Sequence, residues 1–371
     1  MLARQALFAV LLAAGALGLS APPAFAQKYG KPGEPVKLTV GYQPYYTQSW
    51  SGVVINGLEL WKKHLPQGSE VEFQVGLQGA VIVGQMLADK QQIGYMGDMP
   101  SLVATNRPEV ADVRLVAVLG LSEQQCNIFL VRNDAPKFES GKDVVKWMNG
   151  KTVSSPHGSC TDRFARAVFQ KENVKPAQYL NQNIEVITTN FKAGKLDAAV
   201  IWEPTASKIV AEGIARREAS GLDFGEGDAG FLAMRYDLMT ARPDIVRAWL
   251  EAELDAQQYL ADPKNAPKIA EMAEKQTTGM DRKVLWQSLY GSFNRAPVGS
   301  VKNEMPFVFN DKAKALAANA HAFLHEIKRV SSKEVRQGAI DDSVAREVMQ
   351  KRGLSGSVGV IKALPATEFT Q

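Results

Sequence analysis

Three groups of residues in this 371-residue sequence have the types and spacing to do chemistry. His157 and Cys160 lie three apart in the run SSPHGSCTD (154–162). A thiol beside an imidazole at a helix start is the setting that turns a cysteine into a nucleophile. Asp98 and Glu203 each close a short apolar run and are soon followed by proline, in DKQQIGYMGDMP (89–100) and GKLDAAVIWEP (194–204). A carboxylate in such a place can accept hydrogen bonds from an amine or a ring N–H. His321 and His325 have the i, i+4 spacing of a metal pair but no third ligand nearby, so they read as a partly buried helix face. GEGDAG (225–230) lacks the Lys-Ser/Thr of a phosphate loop and reads as a turn into a strand.

The elements that must position these groups alternate. VKLTVGYQ reads as a strand, 52–64 as a helix, VEFQVGL as a strand, 79–88 as a helix, and QIGYM as a strand. VRLVAVLGL and CNIFLVRND continue the series, and after a loop rich in turn formers it starts afresh with GKTVSSP, a helix over 161–172, NIEVITT as a strand, and DAAVIW. Beyond GFLAMR nearly all reads as helix, and the stretch from Gly353 as a poorly ordered tail or surface strap. Such alternation predicts an α/β fold with a mainly parallel sheet covered on both faces. Arg4, the apolar stretch 6–19 and Ala24-Phe25-Ala26 fit a secretory signal over 1–26. The full chain has an ordinary globular composition, with 45% hydrophobic and 22% charged residues, and the part beyond 26 suits two domains. Net charge is only +4, its basic residues are scattered, and nothing points to nucleic acid.

Ligands of open α/β sheets bind beyond the carboxyl ends of the strands. That rule selects Tyr42, Gln43, Gly79, Asp98, Met99, His157, Ser159, Cys160, Thr161, Asn190, Trp202 and Glu203. Ser159 to Thr161 and Pro100-Ser101 are good helix starts, where free N–H groups and the helix dipole favour an anion. Tyr45, Tyr46 and Trp50 could wall a ligand, or Trp50 and Trp61 could belong to the core.

GKTVSSPHGS followed by GKLDAAVIWEP, with VKLTVGYQP, QQIGYMGDMPSLVA and GFLAMRYDLMTARPDIVRAWL, resembles the solute-binding proteins of ABC importers for nitrate, sulfonates, taurine and thiamine-pyrimidine precursors. The resemblance implies a type II periplasmic-binding-protein fold, two α/β lobes with a ligand cleft between them. It divides the chain into 1–26 (signal), 27–129 (first lobe), 130–229 (second lobe), 230–352 (return to the first lobe with C-terminal helices) and 353–371 (tail). It implies a periplasmic monomer that partners an importer permease and needs no metal, cofactor or catalytic residue. Asp98, Glu203 and Trp202 would face the cleft, suiting a sulfonate or a zwitterion such as taurine, with a nitrogen heterocycle or aromatic acid as the alternative ligand. Cys126 and Cys160 depart from the pattern, and three readings stay open: a disulfide near the hinge, unpaired packing residues, or a thiol-dependent hydrolase, since aromatic sulfinate desulfinases share the fold. A periplasmic ligand sensor is the remaining alternative.

Overall fold

The computed structural model describes residues 28–369, so the expected signal over 1–26 lies outside the described residues. Two sheets organise the chain. The first is ordered β12-β11-β4-β10-β3-β1-β2. Its strands are β1 (Lys37–Tyr42), β2 (Glu70–Val75), β3 (Ile93–Gly97), β4 (Val113–Ser122), β10 (Asp228–Arg235), β11 (Val301–Met305) and β12 (Gly359–Lys362). The second is ordered β7-β6-β8-β5-β9, built from β5 (Ile128–Arg132), β6 (Thr152–Ser155), β7 (Gln178–Asn181), β8 (Ala198–Ile201) and β9 (Ala215–Ser220).

Both sheets are mixed rather than mainly parallel. β1 pairs parallel with β2 and β3, but β10 runs antiparallel to β3 and β4, and β5 antiparallel to β8 and β9. The physical reason is the chain path. The chain leaves the first sheet through β4, returns through β10, and the strands next to each crossing must reverse direction. The crossings touch: Gly221 N–H donates to the Asn127 carbonyl at 2.9 Å, and the Asn127 amide donates to Glu226 at 2.9 Å. A Cβ at Gly221 would lie 2.0 Å from the Glu226 carbonyl, so only glycine lets the crossings approach this closely.

Each sheet is covered on both faces by its own apolar clusters. One side of the first sheet packs on Trp50, Trp249 and Trp286, with Leu250 and Leu254 from the long Pro243–Ala261 helix. Trp50 is therefore core, its indole N–H donating to the Pro44 carbonyl at 2.9 Å.

Three expectations fail locally. The run NIEVITT is a helix, Ile184–Lys192, not a strand. Its β-branched residues suggest a strand, but Asn183 caps Val186 N–H at 2.9 Å and Ile184, Ile187 and Phe191 are buried at helical spacing. The expected helix over 52–64 is two helices, Trp50–Leu58 and Trp61–His64, broken where Glu59 adopts φ 51°. The tail beyond Gly353 supplies β12, which pairs antiparallel with β11, a strand the sequence reading had missed because it lies among helices.

Candidate functional site

Between the sheets lies a cavity of about 400 Å³. Its walls are built chiefly from helix beginnings. Gln78, Gly79 and Ala80 open the Gly79–Leu87 helix, Gly97 and Pro100 open Asp98–Thr105, and Ser159 and Cys160 open Cys160–Lys171. The first N–H groups of a helix have no intrahelical partner, so three positive dipole ends converge on one space. They are not equivalent. Asp98 and Asp162 sit in the first turns of the second and third helices, where Met99 N–H and Gly158 N–H donate to them at 2.7 and 2.9 Å. The Gly79 helix has no acid in its first turn, and its end is uncompensated. A Cβ at Gly79 would fall 2.4 Å from Pro100, so glycine is what lets the first two helix ends meet.

Side chains complete the wall. Val83, Val103, Pro156, Leu324 and Trp202 are apolar, and Gln43, Tyr46, His157 and Arg329 are polar. Trp202 crosses between the sheets, its indole N–H donating to the Tyr45 carbonyl at 3.2 Å. The Tyr46 hydroxyl is committed to Asp228 at 3.0 Å. Gln43 is 5% exposed and its side-chain oxygen has no partner. His157 stacks on Tyr179, 4.7 Å between ring centroids, and its Nε2 also has no partner. Burial lowers the His157 pKa against the pull of Asp162, with Arg166 reinforcing the fall, so the ring is neutral at neutral pH. Among the described residues no carboxylate lines the cavity.

Six of the twelve expected residues meet here: Gln43, Gly79, His157, Ser159, Cys160 and Trp202. The other six do not. Tyr42 is in the core, where its hydroxyl accepts from Asn56 at 3.3 Å and its ring meets Phe73 edge-on. Met99 packs in the cluster below the helix ends, and Thr161 spends its hydroxyl on Ser155 and Ser159, both at 2.7 Å. Asn190 fails because its segment is helix, so it ends no strand.

Asp98 and Glu203 are fully buried behind the wall in ion pairs. Asp98 accepts from Arg163 at 2.9 Å. Glu203 is paired with Arg217 and accepts from Ser207 N–H at 2.9 Å. A buried carboxylate needs a partner of its own, and each found one within the protein. Arg329 was missed because it follows a C-terminal helix, far in sequence from every other wall residue, with no motif around it. Cys160 is joined to Cys126, with the Cα atoms 6.1 Å apart. A disulfide sulfur has no proton to lose, so the His157–Cys160 pair holds no thiolate in this state. His321 bonds to Ser332, 3.2 Å away, and is not among the residues that line the cavity.

The sequence profile of the NMT1-like family matches residues 31–274. The chain belongs to this family. The NMT1-like chain is 26% identical over 250 residues to the taurine-binding periplasmic protein of Escherichia coli K12, covering 64% of this chain and 73% of that one. Its fold resembles that of the alkanesulfonate-binding protein SsuA from Xanthomonas axonopodis pv. citri bound to MOPS. The TM-score is 0.65 at 19% identity, covering 83% of this chain and 99% of that one. The periplasmic nitrate-binding protein NrtA from Synechocystis PCC 6803 aligns with TM-score 0.68 at 13% identity, covering 88% and 92%. The desulfurization enzyme DSZB also shares the fold, with TM-score 0.61 at 15% identity, covering 85% and 99%. The NMT1-like fold is thus the two-lobed periplasmic-binding-protein architecture, which hosts both binders and an enzyme.

Proposed function

We propose that this protein is an exported solute-binding protein that captures a small organic monoanion, of the alkanesulfonate type, and hands it unchanged to an ABC importer. The observation that supports this most is the cavity wall, which among the described residues has three helix N-termini, one arginine and no carboxylate. Such a wall favours negative charge and offers an ammonium no counter-charge. Its volume suits a small ligand, and the apolar side chains would receive a short hydrocarbon tail. The relatives named for taurine and alkanesulfonate fit the anion, and the periplasmic setting named for the taurine relative fits the signal read over 1–26. The sheets would act as lobes, 27–129 with 230–352 against 130–229, closing about the crossings at 123–127 and 221–227.

The wall argues against the zwitterion. Propane-1-sulfonate carries a methyl where taurine carries its ammonium, and the two are nearly the same size. Calorimetry is expected to find propane-1-sulfonate bound at least about tenfold more tightly, because an ammonium here would be desolvated without a partner. Mass spectrometry after long incubation should recover the sulfonate intact. Tighter binding of taurine would return the ligand to the zwitterion class, and a product would replace transport with catalysis.

A further inference from the structure

We propose that Arg329 is the charge-selecting residue of this cavity, a cation reaching from the first sheet's C-terminal helix to the second sheet's ligand loop. The inference rests on the anion-binding reading and names the residue that would set the ligand's charge.

The argument begins with the backbone. The Asp311–Glu326 helix ends in a turn in which Lys328 N–H donates to the His325 carbonyl at 3.0 Å and Arg329 N–H to Leu324 at 2.8 Å. Lys328 takes φ 59°, a left-handed conformation that only the surrounding turn makes tolerable for lysine. Leu324, whose carbonyl holds Arg329, is itself buried and lines the cavity. An exposed side chain is thereby carried on a well-determined base.

The guanidinium then meets the opposite wall. Its Nε and Nη2 lie 3.8 and 4.0 Å from where a Cβ on Gly158 would be. Gly158 has φ 78° and no side chain, so the guanidinium rests against the loop that enters the Cys160–Lys171 helix. Arg329 is not among the ion-paired or hydrogen-bonded side chains of the described residues. Every other polar group in the wall is neutral: Gln43, Tyr46, Gln78, Ser159 and the unprotonated His157. Arg329 is therefore the full charge in the wall. Its planar fork can give two parallel N–H donors to a sulfonate or carboxylate. His157 Nε2, buried and without a partner, is the next polar atom such a ligand would meet, and it donates to an anion in the tautomer that carries its proton there.

Because Arg329 comes from one side and Gly158 from the other, this contact exists only while the two halves are apposed. Because Arg329 is exposed, its attraction is screened by salt.

The test measures binding of propane-1-sulfonate and butyrate by calorimetry to the wild type, Arg329→Gln and Arg329→Lys, between about 20 and about 200 mM salt. Arg329→Gln is expected to weaken both anions roughly 10- to 100-fold and to flatten the salt dependence. Arg329→Lys should keep affinity within about fivefold of the wild type, as it retains the charge and loses the fork. Melting without ligand should be the same in all three. Arg329→Gln binding like the wild type, with the same salt slope, overturns the charge-selecting role and leaves the anion reading standing. Equal weakening in both variants with lowered ligand-free melting also overturns it, assigning a structural role. A wild type that binds neither anion removes the anion reading itself, and this inference with it.

Discussion

Asp98 and Glu203 occupy matching places, each just past the end of a central strand, and each is fully buried in an ion pair with arginine. The surroundings are opposite in sign. Around Asp98, two carboxylates share one cation: Arg163 bonds Asp98 and the Gly227 carbonyl, while Asp228 lies nearby with one oxygen unpartnered. Around Glu203, two basic side chains share one carboxylate. Arg217 and Lys302 both lie against the Phe293 ring, 4.0 and 4.4 Å from its centroid, and Lys302 Nζ has no hydrogen-bond partner among the described residues. The Asp98 pair also joins the two sheets, since Arg163 belongs to the Cys160–Lys171 helix of the second, whereas Glu203 and Arg217 both belong to the second sheet.

The contrast shows how a buried cluster sheds its surplus charge. Burial, and then the neighbouring Asp98, push the Asp228 carboxyl well above the carboxylate range, so Asp228 is the group that keeps its proton. Burial, and then Arg217, push Lys302 well below the ordinary lysine value against the pull of Glu203, so Lys302 is the group that gives its proton up. Burial also raises Asp98 and lowers Arg217, so each cluster approaches neutrality by displacing titrations, most strongly those of Asp228 and Lys302, rather than by adding a partner. Ligand charge then falls to the cavity wall in front of both clusters.

Removing the shared partner should have the largest effect. Arg163→Met leaves two buried carboxyls without a cation, and Glu203→Gln leaves buried Arg217 and Lys302 without an anion. Each is expected to cost about 3–5 kcal/mol in urea unfolding. The pH slopes should oppose one another. In Arg163→Met the folded state holds carboxyl protons that the unfolded state releases, so stability falls as pH rises. In Glu203→Gln the unfolded state takes up the proton that Lys302 refuses, so stability falls as pH drops. Equal slopes would dissolve the comparison.

The disulfide comes next. It closes 34 residues between the first crossing and the start of the Cys160–Lys171 helix, and its sulfurs lie within 4.8 Å of an Asp228 oxygen. Replacing both cysteines by serine should cost about 2–4 kcal/mol of stability. Titration of the denatured, unreduced wild type should find no free thiol, and two thiols per chain would refute the bridge.

The smallest effects should come from neutralising the displaced groups themselves. Asp228→Asn should gain about 1–2 kcal/mol at pH 8 and nothing near pH 4, because the wild-type loss appears as pH rises from the unfolded carboxyl pKa toward the raised folded one. Lys302→Met should gain a similar amount, about 1–2 kcal/mol, growing as pH falls below the unfolded lysine pKa toward the lowered folded one. Stability that moves the other way in either variant would mean that the assigned proton is misplaced.

Much of the fold was legible in the sequence, and half of the residues expected at a site line the cavity. Gln43, Gly79, His157, Ser159, Cys160 and Trp202 follow from the rule that ligands sit past strand ends, because that rule depends only on where a strand stops and a helix starts. The acids at the same ends were misleading. A strand end places a residue near the cleft without specifying which way its side chain turns, and a carboxylate turns toward the nearest arginine. Asn190 was lost to a different cause: β-branched residues in 184–189 raise strand propensity, while their burial at helical spacing becomes visible only once a surface to pack on exists.

The sequence by itself determined what local order can express: the alternation of strands and helices, the glycines and caps at helix starts, the pair of cysteines, and the family. These depend on near neighbours, through backbone sterics and the period of apolar residues. Only the tertiary structure decided that Asp98 faces Arg163, 65 residues on, that Glu203 faces Arg217, and that Arg329 closes a wall begun at Gln43. Charge pairing acts through space and over short range, and its partners are chosen by which surfaces the packed sheets bring together.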